Sequence, residues 1–362
     1  MLFDPFSFSG LDVKNRIVRS ATYEKRANED GFVTESLIEF YCDLTRGGVG
    51  LIITGNALVH PSGRSVRQML CIHSDIYIRG LRNLTDAVHE LGGVIAIQLV
   101  HGGRQSLPIL LGGHAPLAPS AVHDPSTDVT PQTMTDEEIW EIIEAFGDAA
   151  RRARIGGFDA VQIHGAHGYL VSEFLSPHTN RRLDYWGGDE ERRFHFLEET
   201  YLAMRKEVGE DYPILIKINA NDMIGSGLKV EDSVGIAKRL EILGVDAFEV
   251  SGGMFESVQK TVQPNILTED REAYFRDAGK SYKERLNSPI MLVGGMRSVS
   301  VMEDVLRKKE ADLISLSRPL IREPDLPNSF KEGKEKADCI SCNGCMEFQK
   351  LDVVKCVCLG SE

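Results

Sequence analysis

The chain has 362 residues, 42% of them hydrophobic, and a formal net charge of −13. That is enough apolar content for one large α/β domain or two smaller ones, and the acidic balance disfavours nucleic acid or an anionic membrane as a main partner. No stretch nears the roughly 20 apolar residues of a membrane span, and Met1-Leu2-Phe3-Asp4-Pro5 lacks the basic and apolar regions of a secretory signal, so a cytoplasmic protein is expected.

Short apolar runs alternate with amphipathic stretches along the chain. Arg16-Ile17-Val18 is followed by a helix over 34–46, with Thr34 as N-cap. Val49-Gly50-Leu51-Ile52-Ile53 leads into a helix over 76–91. Val94-Ile95-Ala96-Ile97-Gln98 is followed by a Pro- and Gly-rich segment, 107–131, which reads as a loop inserted over one end of the fold. Thr135 and Glu138 then form a capping box opening a helix that runs to 155. Ala160-Val161-Gln162-Ile163 precedes a helix over 190–208, and Ile214-Leu215-Ile216-Lys217-Ile218 one over 230–243. Ala247-Phe248-Glu249-Val250 and Ile290-Met291-Leu292-Val293 follow, then a helix over 300–308 and Leu313-Ile314-Ser315-Leu316. Glycines close several helices, where a left-handed turn costs them little.

Eight such units predict a parallel sheet closed into a (β/α)8 TIM barrel over residues 1–330, with a cysteine-rich extension over 331–362. A doubly wound open sheet is the runner-up, but no G-x-G-x-x-G follows any strand.

Barrel chemistry sits at the carboxyl ends of the strands. The fourth run ends in His164-Gly165-Ala166-His167-Gly168-Tyr169. Two imidazoles and a phenol within six residues can hold an oxyanion and supply a proton. Lys217 lies inside an otherwise apolar strand, which is costly unless it faces an anion or a polar cofactor. The last two strands end in Gly294-Gly295-Met296-Arg297 and Ser317-Arg318-Pro319, turns suited to a phosphate. A phosphorylated cofactor with a hydrogen-bonding ring fits this set, FMN foremost, with Lys217 and Gln98 near its polar edge. Pyridoxal phosphate, or a cofactor-free aldolase or lyase with Lys217 as Schiff-base amine, competes with it.

The chain resembles the old yellow enzyme group of FMN-dependent ene-reductases. The resemblance rests on Lys14-Asn15-Arg16-Ile17-Val18 with Ser20-Ala21-Thr22, on Gln98-Leu99-x-His101-x-Gly103-Arg104-Gln105 and on His164-x-x-His167-Gly168-Tyr169-Leu170. It extends through Glu173-Phe174-Leu175-Ser176-Pro177-x-x-Asn180. It is nearest the thermophilic-type branch and the barrel of 2,4-dienoyl-CoA reductases. The resemblance implies that Ser20, Ala21, Thr22, Tyr23, Asn56, Gln98 and Lys217 line the flavin. Gly294, Gly295, Ser317 and Arg318 would hold its phosphate. His164 and His167 would bind the carbonyl oxygen of an enone, enal or enoyl thioester, and Tyr169 would protonate its α-carbon. NAD(P)H would reduce the flavin at the same face, and the chain would form a homo-oligomer. Three positions depart from the family pattern. Tyr23 stands where the thermophilic branch often has Cys, Ser317 where Gly is frequent, and Lys217 where many relatives have Arg.

Five of the seven cysteines fall in residues 339–358. Without a secretory signal, a disulfide scaffold does not suit so large a chain. Cys339, Cys342, Cys345 and Cys356, with Cys358 as alternative fourth ligand, have spacings that suit a [4Fe–4S] cluster or a structural Zn2+. Dienoyl-CoA reductases carry a similar cluster with a second gap one residue longer. Reduced, metal-free thiols are a third option, and a redox-sensing or partner-docking role for the tail is the reading outside enzymology. Cys42 and Cys71 read as core residues.

Overall fold

The computed structural model describes residues 1–257 and 261–359. Its centre is a closed barrel of eight parallel strands in chain order: β1 (Ile17–Arg19), β2 (Leu51–Leu58), β3 (Ile95–Val100), β4 (Ala160–Gly165), β5 (Ile214–Asn219), β6 (Ala247–Ser251), β7 (Ile290–Leu292) and β8 (Leu313–Leu316). Each apolar run read from the sequence is one of these strands. All their residues are buried, which is why they read as continuous apolar runs.

The helices between them follow local signals. Thr34 Oγ1 accepts the Leu37 N–H at 3.2 Å and opens helix Glu35–Arg46. Both halves of the Thr135/Glu138 capping box form, at 3.2 and 2.8 Å, and start helix Asp136–Ile155. Glu190–Val208 and Val230–Leu243 match their predicted bounds, and Val299–Arg307 begins one residue early. The second helix is Ile78–Glu90, because Asp75–Tyr77 winds into a tighter 3-10 turn. At Gly47-Gly48 and Gly156-Gly157 it is the second glycine of the pair, φ 93° and 83°, that takes the left-handed turn.

Three features were not legible in advance. Phe6–Phe8 and Leu11–Val13 form an antiparallel hairpin, turned by Ser9 and Gly10, both at positive φ. Helix Arg276–Lys283 fills the β6–β7 connection. The 107–131 segment is not wholly irregular, since Leu117–Ala118 pairs in parallel with Gln132–Thr133. Asp124 within it accepts from Gln105 Nε2 at 2.6 Å, pinning the segment to the loop after β3. Among the described residues no helix is long and apolar enough to cross a membrane.

Candidate active site

A strand repeats its facing every two residues, and that period builds the site. Val18, Leu51, Ile53, Ala96, Ala160, Leu215, Ala247, Met291 and Leu313 pack together inside the barrel, and hairpin residues Phe8, Leu11 and Val13 close them off below. Two residues further along five of these strands stand Ser20, Gln98, Gln162, Lys217 and Glu249, and these five are linked by hydrogen bonds. Ser20 Oγ donates to Glu249 Oε1 at 2.6 Å and accepts from Lys217 Nζ at 2.9 Å. Gln162 Nε2 donates to Glu249 Oε2 at 2.9 Å, and Gln98 Nε2 to Gln162 Oε1 at 2.7 Å. Lys217 Nζ lies 3.2 Å from Glu249 Oε2, with 3% and 0% of the two side chains exposed. Burial lowers the lysine pKa, and the carboxylate opposes that shift. Sequence reasoning found Lys217, Gln98 and Ser20 but missed Glu249 and Gln162. The signal for both was the one used for Lys217, a polar residue within an apolar run.

Above this layer sit the imidazoles and the phenol. His164 and His167 have ring centroids 5.2 Å apart, and Tyr169 lies 4.6 Å from His164. Phe255 stands edge-on to Tyr169 at 5.7 Å. His167 adopts φ 65° and Gly168 φ 79°, an uncommon conformation for a non-glycine residue that turns the chain sharply after β4. Asn219, at the end of β5, accepts the His167 N–H at 3.0 Å, and the His167 Nε2–Ser251 Oγ distance is 2.7 Å. The Ala166 N–H donates to His164 Nδ1 at 3.3 Å, so a neutral His164 carries its proton on Nε2, which has no partner among the described residues. Both rings are held neutral. Burial, then His167 and Lys217, push His164 well below its ordinary range; burial and Lys217 push His167 down to about 3. Burial raises the Tyr169 phenol to about 12, so it keeps its proton at neutral pH.

The rim is tied together nearby. The Arg104 guanidinium pairs with Glu256, and its backbone N–H donates to Glu173 at 2.8 Å. Burial raises Glu173 to about 8, a shift that Arg104 opposes, so this carboxyl is largely neutral at pH 7.

The remaining expected flavin residues divide into two groups. Asn56 pairs with Gln98 in register, and its Oδ1 is buried without a partner. An orphaned acceptor next to Gln98, in a barrel mouth that also holds Lys217, suits the N–H and carbonyl edge of an isoalloxazine, so the residues present fit FMN. Thr22 and Ser317 hydroxyls meet at 2.8 Å, and Gly294 and Gly295 both have positive φ. A Cβ on Gly295 would press on the Tyr274 ring at 2.8 Å, which restricts that turn to glycine. Arg318 donates to the Gln263 carbonyl at 2.8 Å and to Asn343 Oδ1 at 2.5 Å. Ala21 is partly buried against the apolar floor. Among the described residues Tyr23 makes no hydrogen bond to the polar layer. Its hydroxyl donates to the Arg67 carbonyl, and its ring meets Phe348 edge-on at 5.2 Å.

The C-terminal segment is strapped to the barrel rather than standing apart. Lys25 Nζ donates to the Phe348 carbonyl at 3.0 Å, Val354 N–H to Glu24 O at 3.0 Å, and Asn265 N–H to Ser341 O at 2.9 Å. Cys339, Cys342, Cys345, Cys356 and Cys358 line one recess with Arg318 and Arg322. The expected four-thiol clip is not formed. Among the described residues no three His, Cys, Asp or Glu side chains are placed to hold a metal ion. Cys342 Sγ lies 3.5 Å from Cys358 Sγ, whereas Cys356, the expected fourth ligand, faces Arg322 at 3.6 Å. Burial raises Cys339, and raises Cys345 to about 11, so both thiols are protonated in this arrangement. The structure as arranged gives no support to a [4Fe–4S] cluster or Zn2+ on these thiols. Cys42 and Cys71 are buried, as expected of core residues.

A closed barrel whose mouth combines neutral imidazoles, a phenol and a buried lysine–amide layer defines the class of flavin-binding (β/α)8 barrels. Residues 1–337 match the NADH:flavin oxidoreductase / NADH oxidase family, and the chain belongs to that family. It is 39% identical over 357 residues to an NADH oxidase of Thermoanaerobacter brockii, covering 97% of this chain and 54% of that protein. An NADPH dehydrogenase of Geobacillus sp. (strain WCH70) is 40% identical over 344 residues, covering 95% and 96%. Among solved structures, the old yellow enzyme homologue of Zymomonas mobilis superposes with a TM-score of 0.80 at 28% identity, covering 94% and 95%. The old yellow enzyme resemblance read from the motifs is thus shown by the family match. The chain spans about half the length of the first curated relatives it matches. The Schiff-base reading has no support from these likenesses, and Lys217 is engaged by Ser20 and Glu249.

Proposed function

We propose that this chain is an FMN-dependent oxidoreductase that uses NAD(P)H to reduce the C=C bond of α,β-unsaturated carbonyl compounds. The observation that carries the reading is the packing of His164, His167 and Tyr169 ring against ring above the polar layer, where burial favours neutral imidazoles and a protonated phenol. FMN, when bound, would supply hydride transfer between NAD(P)H and the β-carbon of the substrate. The protein residues do the rest. Gln98, Asn56 and Lys217 would hold the polar edge of the ring, and the Gly294–Gly295 turn, Ser317 and Arg318 would hold its phosphate.

His164 and His167 grip the carbonyl oxygen. Negative charge grows there as the β-carbon is reduced, and donors fixed in advance stabilise it. A neutral imidazole suits this task, because it donates a hydrogen bond without surrendering its proton to the oxygen. Tyr169 keeps its phenolic proton until the α-carbon needs it, and the half-buried site limits competing water. One mouth serving NAD(P)H and then substrate agrees with the absence of a dinucleotide fingerprint in the sequence.

The test is anaerobic. FMN-loaded protein is reduced with one equivalent of NADH or NADPH and mixed with an enone, an enal, an enoyl thioester or a saturated ketone. Reoxidation by at least one unsaturated class, and none by the saturated ketone, is expected. If no unsaturated class reoxidises the flavin, the reading fails.

A further inference from the structure

Glu249 has no part in the chemistry above, yet it is the most costly residue of the polar layer. It is a carboxylate with 0% exposure inside an otherwise apolar strand. Such a group persists only where its charge is paired and both oxygens are hydrogen-bonded. Here Oε1 takes the Ser20 hydroxyl, and Oε2 takes the Gln162 amide and the Lys217 ammonium. Lys217 and Glu249 face each other in register on β5 and β6.

Two consequences follow from those bonds. First, the ammonium that would border the flavin has an opposite charge 3.2 Å away in a dry interior, so its outward field is largely cancelled. Second, the carboxylate can only accept, so it fixes the sense of the amide row. Gln162 must turn its NH2 to Glu249, its carbonyl then receives the Gln98 NH2, and the Gln98 carbonyl is left as an acceptor.

We propose that Glu249 is a positioning residue for the flavin: by neutralising Lys217 and orienting Gln98 it lowers the reduction potential of bound FMN. Hydride from NAD(P)H brings two electrons and one proton and leaves NAD(P)+, so the reduced ring carries one more negative charge than the oxidised ring. A lone Lys217 cation would stabilise the reduced form selectively. A neutral lysine–carboxylate pair stabilises it far less, which keeps the reduced flavin a stronger hydride donor. The inference rests on FMN binding at this mouth, as in the functional reading, and on no particular substrate.

The experiment measures the potential of bound FMN against a reference dye, without substrate, at pH 6, on the acid side of neutrality because burial lowers the Lys217 pKa. Wild type, Glu249→Gln, Lys217→Met and the double variant form a cycle. Glu249→Gln is expected to raise the equilibrium constant for two-electron reduction about tenfold or more, about 30 mV upward for such a couple. Lys217→Met lowers it by a similar factor, and the double variant, neutral again, returns close to wild type. If Glu249→Gln does not retain FMN, the double variant decides alone, by matching wild type rather than Lys217→Met. A Glu249→Gln potential equal to wild type, or a double variant equal to Lys217→Met, overturns the proposal. FMN-loaded wild type that reduces no unsaturated carbonyl sinks only the functional reading, whereas a chain that never takes up FMN sinks both.

Discussion

The floor and the upper layer of the barrel lumen come from the same strands, two residues apart, and do opposite work. Leu215 and Ala247 face the floor; Lys217 and Glu249 face the layer above. The floor is apolar, capped by the hairpin, and contributes stability through packing. The layer above buries a cation, an anion and two amides, which no fold needs for stability alone. A barrel thus separates scaffold from chemistry by one strand period, and substitutions in the two layers should separate in the same way.

The sharpest separation is expected at the phenol above the polar layer. Tyr169→Phe should slow reoxidation of the flavin by an unsaturated carbonyl by about 10²- to 10⁴-fold, with reduction by NAD(P)H nearly unchanged. Rapid anaerobic mixing resolves the two half-reactions, and equal losses in both would remove Tyr169 as proton donor. In the floor, Leu215→Ala should cost about 2–5 kcal/mol in urea unfolding through the cavity it leaves, while FMN affinity stays within a few-fold. If its main effect were on FMN, floor and site would not be separable.

Smaller effects sharpen the same contrast. Phenols mimic the enolate oxygen, and His164→Ala should weaken their binding about tenfold, the worth of one good hydrogen bond; unchanged affinity would make His164 structural. The buried histidines also predict a pH dependence. His101 and His167 are pushed down to about 3 by burial, and an unfolded histidine titrates near 6.5. Between those values the unfolded chain binds more protons, so stability falls as pH drops below about 6.5 and these groups add no slope above it. His101→Gln should reduce the stability lost between pH 6 and 5 by on the order of 1 kcal/mol. An unaltered slope would mean that His101 is not held neutral.

How much was legible follows from what each feature depends on. The eight strands could be read because burial on both faces leaves them almost purely apolar. The capped helices could be read because Thr34 and the Thr135/Glu138 box act within four residues. Helix Arg276–Lys283 escaped because it is only eight residues long and buries just Ala278, Gly279 and Tyr282, which leaves it little pattern. Glu249 and Gln162 were within reach of the strand period and were passed over. Tyr23 was not within reach, since it lies beyond the end of β1 and its direction is set by Phe348, far along the chain. The cysteine spacing likewise named the thiols of one recess but could not say whether they converge on a metal.

The central claim, that this polar layer cradles an isoalloxazine, is tested most directly by titrating flavin-free protein with FMN and following flavin fluorescence. The expected result is quenching that saturates at one FMN per chain, with the bound flavin bleached by NADH or NADPH under nitrogen. Fluorescence that rises with added FMN as it does in buffer alone, with no saturable quenching, would contradict the claim.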